Sequence, residues 1–402
     1  MNLLIFFGPA MIACGGLATA AVISRCSAFY RTELAADAGR RELSLDGLRG
    51  VAALMVVVHH GALFRGWLFT GAWGDVGADA PWLMALGPAG VHLFFMLTGF
   101  LFWSKARAEN GKLRIWKLWR GRLYRIAPLY LFAVAAVFVV LVVIRGTNVL
   151  TLKNSNAFWR IFALGIFRRP PLSDGFNPTE INAYGIWTLW FEWRFYFVLP
   201  FIAWFAVRRR TFWLAAAAGA GVFVMHFFVS DVRLQMLLSF ILGMLCPNLM
   251  ESGKFTQWLR SKSAAGVALA VTILLAVLNR GPFLGFYFAV ALFPIFLAAA
   301  AGNNFWGSLT ARTTRCLGAF SYSLYLLHGT LFYIAMSVLK SRHLLTLPAM
   351  WYWVILMFTA IAAAALSSAT FRFIEFPFLR KSHKTGAKTS PIIPERATQL
   401  VP

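Results

Sequence analysis

Long apolar runs recur along this chain, broken by short stretches in which Arg and Lys collect. A helix needs about 20 apolar residues to cross a hydrocarbon core ~30 Å thick, and most of the runs approach that length. The first, residues 3–23, is followed by Arg25, Arg31, Arg40 and Arg41 and preceded by no basic residue. It predicts an anchor helix with its N-terminus outside, with a signal cleaved after Ala18-Thr19-Ala20 as the alternative. The pattern then predicts helices at about 48–65, 86–103, 123–144, 186–207, 211–230, 234–250, 264–279, 283–301, 317–339 and 349–370. The run 158–167 is too short to span and reads as re-entrant or interfacial. The expected fold is all-α, a polytopic transmembrane helical bundle of about ten core helices plus the anchor. Residues 1–43 make the anchor and a basic linker, 44–380 the transmembrane domain, and 381–402 a basic tail without a core to fold around.

Charge sets the direction of each crossing. Of the 38 Lys and Arg, 27 fall in segments that this topology places inside, in accord with the positive-inside rule. The strongest inside signal is 104–125, where Lys105, Arg107, Lys112, Arg114, Lys117, Arg120, Arg122 and Arg125 face a single Glu109. Composition agrees: 60% hydrophobic, 13% charged and a mean hydropathy of +0.69 leave no room for a large soluble domain. The net charge of +24 does not indicate nucleic-acid binding, because the basic residues sit between apolar runs instead of on one soluble face. Four cysteines without CxxC spacing point to neither a disulfide framework nor a metal site.

Against this background, ionisable residues inside the apolar runs are costly and mark candidate chemistry. Residues 44–60 carry Asp46 and Arg49 at the start of a helix and His59 and His60 deep within it. Eleven residues at 100° each bring Arg49 and His60 to within about 20° of one another on the helix, roughly 16 Å apart along its axis. His60 therefore lies near the midplane on the Arg49 stripe, and His59 points away from it. His92, in Gly90-Val-His-Leu-Phe-Phe-Met-Leu-Thr-Gly99, reads first as a helix–helix hydrogen-bond partner, with Gly90 and Gly99 permitting close helix approach. Arg122 and Arg125 share one face at the inner surface, as a membrane anchor or as a clamp for phosphate. Glu192 has Tyr196 one turn on, and Arg194 points the other way. Ser321, Tyr325 and His328 follow i, i+4, i+7, a polar stripe that suits ligand binding or a hydrogen-bond seam.

Taken in order, these segments resemble the integral-membrane acyltransferase family 3. The likeness rests on Leu-Asp-Gly-Leu-Arg-Gly (45–50) with His60, on 90–100, on Arg122-Leu-Tyr-Arg125-Ile-Ala-Pro-Leu-Tyr, on 187–200 with Glu192, on 320–328, and on Ile374-Glu375-Phe-Pro377. There are departures: His92 and Trp193 stand where the family usually has acidic residues, and Thr98 where it has serine. The esterase-like domain of some members is not in this sequence, so the expectation is a reaction completed in the membrane or handed to a periplasmic partner protein.

The resemblance implies a membrane-embedded O-acyltransferase in a bacterial inner membrane. It would take a short acyl group, acetyl by family habit, from cytoplasmic acyl-CoA to a glycan hydroxyl, with no permanently bound cofactor or metal. On this reading Arg122 and Arg125 hold CoA phosphates, Arg49 adds charge or orients the thioester, and His60 is general base or acyl carrier. Glu192 and the Ser321–His328 stripe approach from the outer half to position the acceptor, with Asp46, His92 and Tyr196 in support. The rival class is a transporter or flippase for a glycan or lipid-linked intermediate, which also needs buried His, Arg and Glu.

Overall fold

The computed structural model describes residues 2–36, 43–71, 73–74, 81–167, 171–208, 217, 221, 232–278, 286–342 and 346–384, and among them there is no strand. The expected anchor is a helix, α1 (Asn2–Cys26), followed by a short α2 (Ala28–Ala36). The core runs through α3 (Leu43–Thr70), α4 (Pro81–Ala108), α5 (Ile115–Arg145), the short α6 (Ser155–Phe162) and α7 (Trp187–Arg208). It continues with α8 (Val232–Leu249), α9 (Gly253–Leu259), α10 (Lys262–Leu278) and α11 (Phe286–Ala300). The last group is α12 (Arg312–Ala319), α13 (Ser321–Ser341), α14 (Ala349–Thr370) and, after a π turn at Phe371–Glu375, α15 (Phe376–Lys384).

Among the described residues, 6 helices are long and apolar enough to cross a membrane, or up to 7 if a bent pair counts as one span. One of the six is the anchor α1, so the ten core spans expected are not confirmed. The apolar runs at 264–279 and 283–301 do form helices, α10 and α11, which among the described residues are shorter than a full span. The run at 234–250 folds as α8, and α9 breaks away from it at 119°. The expected helix 211–230 lies outside the described residues, apart from 217 and 221. The run 158–167 contributes only the short α6, whose Ile161 carbonyl accepts a hydrogen bond from Tyr130 of α5 at 2.5 Å. The basic linker is also more ordered than its charge suggests. Tyr30 of α2 donates to the Ser368 carbonyl at 2.8 Å, and Arg315 of α12 donates to the Leu34 carbonyl at 2.7 Å.

The apolar exterior confirms an integral membrane protein. Side chains such as Phe7, Val143, Val277 and Phe358 are more than half exposed on outward faces, where only lipid rewards them. By contrast α3 is the central helix, with 78% of its apolar window buried in the protein against 33% for α1 and 39% for α5. Three apolar clusters meet on it: Ala53 and Val57 pack with α13 and α14, Leu48 and Ala52 with α4 and α11, and Val56 with α5 and α7. Backbones come close enough that side chains would not fit. A Cβ on Gly99 would lie 2.2 Å from the Phe240 carbonyl of α8, and one on Gly90 2.6 Å from the Ala52 carbonyl of α3. The small residues that allow helix contact in the sequence therefore do so at the α4–α8 and α4–α3 crossings.

Candidate active site

Five helices surround one cavity of roughly 100 Å³. Arg49 enters it from α3, Thr98 from α4, Arg122 and Arg125 from α5, Glu192 and Tyr196 from α7, and Ser321 and Tyr325 from α13. Helical phase accounts for each pair. Glu192 and Tyr196 are one turn apart, and the Tyr196 hydroxyl donates to Glu192 Oε2 at 3.0 Å. Arg122 and Arg125 are likewise one turn apart, but they are not equivalent. The Arg122 guanidinium lies over the rings of Phe102, at 4.8 Å, and Tyr196, at 5.7 Å, and hydrogen-bonds the Tyr196 side chain. Arg125 is ion-paired to Glu375 across a gap of 3.9 Å. Arg49 pairs with Asp46 at 3.5 Å, one turn back on α3.

Two placements differ from the sequence expectation. Glu192 does not stand apart from the arginines: it lines the same cavity as all three, whose charges act on it directly. A carboxylate on a helix as aromatic as α7 needs cations from its neighbours, and α5 and α3 supply them. Arg194, as its phase indicated, stays outside and stacks on Trp190. His92 is not at the cavity either. It is fully buried between α4 and α8, with Nδ1 2.7 Å from the Ser239 hydroxyl. The hydrogen-bond seam describes it, and its assignment as an acceptor-side residue finds no support in the geometry.

Glu375, in the Ile374-Glu375-Phe-Pro377 stretch, has a place in the site that its sequence position does not reveal. It is 1% exposed, bonded by the Ser323 hydroxyl as well as facing Arg125. The π turn that ends at Glu375 widens the helix locally and turns this carboxylate inward, a feature common at functional sites. The available signal was a lone acidic residue in the last apolar stretch, with Arg125 in need of a counterion.

The two adjacent histidines of α3 part company as predicted by their phase. His59 Nδ1 lies 2.7 Å from the Leu83 carbonyl. His60 Nδ1 lies 2.7 Å from Nε2 of His328, on α13. His328 Nδ1 in turn lies 2.7 Å from the Leu324 carbonyl of its own helix. These contacts fix the protons. A carbonyl only accepts, so His328 carries hydrogen on Nδ1, and in the neutral ring its Nε2 must then accept. His60 must donate from Nδ1, which leaves Nε2 of His60 as the bare, basic nitrogen. The polar stripe on α13 is thus divided. Ser321 and Tyr325 line the cavity, whereas His328 turns to α3, its ring centroid 6.4 Å from that of Tyr325. Among the described residues, no group of three or more His, Cys, Asp or Glu is arranged to hold a metal.

Comparison with known proteins places this site in a class. A family model described as an acyltransferase domain, of the acyltransferase 3 type, matches residues 42–369. The chain belongs to this acyltransferase family, which favours the acyltransferase reading of the two classes left open by the sequence. Its relatives include the O-acetyltransferase OatA of Staphylococcus aureus strain MRSA252, 25% identical over 387 residues, covering 89% of this chain and 59% of the relative. OatA of strain NCTC 8325 / PS 47 is also 25% identical, over 374 residues, with 85% and 58% covered. A putative O-acetyltransferase of strain MRSA252, SAR0937, is 24% identical over 397 residues, with 87% and 59% covered. The chain thus spans less than two thirds of the length of these relatives. No solved structure matches it.

Proposed function

We propose that this chain is an O-acetyltransferase, moving an acetyl group from acetyl-CoA on the cytoplasmic side of a bacterial inner membrane to a hydroxyl of a cell-envelope glycan. The observation that carries this reading is the chain of contacts Leu324–His328–His60, which prepares one nitrogen as a base between α3 and α13, the helices that also bring Arg49, Ser321 and Tyr325 to the arginine-lined cavity. Arg122 and Arg49 take the phosphates of CoA, guanidinium to phosphate being a strong and geometrically matched pairing. Arg125, already paired with Glu375, adds charge and ties α5 to the π turn.

In the reaction His60 Nε2 accepts the proton of the acceptor hydroxyl as its oxygen attacks the thioester carbon. The new C–O bond forms, the C–S bond breaks, and the departing thiolate takes the proton back from the imidazolium to give free CoA. His328 receives the hydrogen bond of His60 Nδ1–H throughout, so the developing imidazolium needs no rearrangement. The Tyr196–Glu192 pair stands on the same cavity wall as Arg122 and orients the donor in the acyl-bearing part of the slot.

The test uses the purified full chain in lipid nanodiscs with radiolabelled acetyl-CoA, alongside mass spectrometry of envelope glycans from cells with and without the protein. Acetyl esters that depend on the protein and vanish in His60→Ala are expected. Glycan acetylation unchanged by deletion, or retained in His60→Ala, refutes the proposal.

A further inference from the structure

Beyond His60, toward the Thr70 end of α3, lies a second cluster that the arginine cavity does not include. The ring of Trp73 sits 6.2 Å from that of His60 and 5.3 Å from that of Tyr184, meeting the latter at 62°. Two faces at that angle form a corner and not a stack. Glu180 borders it: the Tyr184 hydroxyl donates to Glu180 Oε2 over a long 3.4 Å, and Trp67 also hydrogen-bonds the carboxylate. Trp73, Tyr184 and Glu180 are each only partly buried, unlike the aromatics of the core. A carboxylate accepts about four hydrogen bonds, so two partners leave it acceptor capacity on its open side.

Ala183 and Tyr184 are consecutive non-glycine residues with φ of 50° and 56°, left-handed conformations that carry backbone strain. Asn182 fixes the bend by donating to the Leu326 carbonyl of α13 at 2.5 Å, two residues before His328. Burial pushes the Glu180 carboxyl up from its ordinary range, and burial and the neighbouring carboxylate push Tyr184 up to about 12, so the phenol stays a donor.

A corner of two aromatic faces bordered by a carboxylate matches a pyranose ring. Such a ring is flat and apolar across its C–H face and carries hydroxyl donors around its edge. Aromatic faces cover the first with large apolar contact, and a carboxylate accepts from the second. We propose that Trp73, Tyr184 and Glu180 form a subsite for one pyranose ring of the acceptor and decide which of its hydroxyls reaches His60. The rings of Trp73 and His60 are 6.2 Å apart, so a pyranose stacked on the partly exposed side of Trp73 and Tyr184 lies beside His60 with an edge hydroxyl directed to it. The subsite rests on the acyltransferase reading for the step at His60, but not for the binding itself.

The experiment therefore reads binding and chemistry separately. Full-length protein in nanodiscs is titrated with cellotetraose, chitotetraose and maltotetraose, and with open-chain glucitol as counter-probe, by saturation-transfer NMR. Acetyl-CoA binding is measured on the same samples. The expected result is that a pyranose oligosaccharide binds and glucitol does not. Trp73→Ala and Glu180→Gln each weaken that binding about tenfold or more, Trp73→Phe loses less than threefold, and acetyl-CoA affinity stays the same. Pyranose binding that is absent in the wild type, equalled by glucitol or unaltered in the variants overturns the subsite. Oligosaccharide binding that depends on Trp73 without any acetyl transfer overturns the acyltransferase step at His60 and leaves the subsite standing.

Discussion

Two helix crossings in this protein each bury a histidine with a 2.7 Å partner, and they are not alike. At the α4–α8 crossing, His92 meets the Ser239 hydroxyl inside a packed seam, beside Phe288 and away from the cavity. At the α3–α13 crossing, His60 meets His328, whose other nitrogen is already committed to a backbone carbonyl. The first arrangement links two helices. The second passes a defined protonation pattern to a nitrogen of α3, the helix that also carries Arg49 into the cationic cavity, beside the ring of Trp73. Hydrogen bonding as such does not distinguish them. What differs is whether the hydrogen bonds leave a reactive atom with somewhere to act.

That contrast is open to direct attack. The largest effect is expected for His60→Ala, a loss of about 10³-fold or more in acetyl transfer with the thermal midpoint nearly unchanged, in the range for removing a positioned base. His92→Ala is the matched control: it should lower the thermal midpoint yet keep transfer within a few-fold, and equal losses in the two variants erase the distinction. Next is His328→Ala, expected to cost about 10²-fold in kcat. His328→Gln, whose side-chain carbonyl can accept from His60 Nδ1–H, should recover part of that, and the pH profile of kcat should shift in the alanine variant only.

Smaller effects sharpen the roles around the cavity. Arg122→Ala should raise the KM for acetyl-CoA about tenfold with a lesser change in kcat. Arg125→Ala leaves the 1%-exposed Glu375 without its cation and should cost stability, about 1–3 kcal/mol by the usual price of an unpaired buried group. Adding Glu375→Gln to Arg125→Ala should restore much of that loss, as thermal unfolding in detergent will report. Least affected is His59→Ala, expected within about threefold of wild type in transfer, because its bond to the Leu83 carbonyl faces away from His328.

Periodicity and charge alone made the helices legible, and the helical phase within α3 was enough to separate His60 from His59. The positions of α1, α3, α4, α5, α13 and α14 all follow the apolar pattern closely. The pattern's ten core spans are not confirmed: among the described residues α10 and α11 are shorter than a full span and α9 turns sharply from α8, which composition cannot show. Nor does counting from the end of its helix show that Glu192 packs with the arginines of α3 and α5.

The sequence by itself thus determined an all-helical membrane protein, the face of α3 on which chemistry could sit, and a set of ionisable residues too costly to be idle. These are properties of single helices, set by the 100° step between residues and by the need to keep charge out of lipid. Only the tertiary structure decided which of those residues meet. The partner of His60 lies 268 positions along the chain, that of Arg125 lies on a π turn, and His92 is spent on a seam. Hydrogen bonds act over about 3 Å, and no pattern along one helix records which neighbour comes that close.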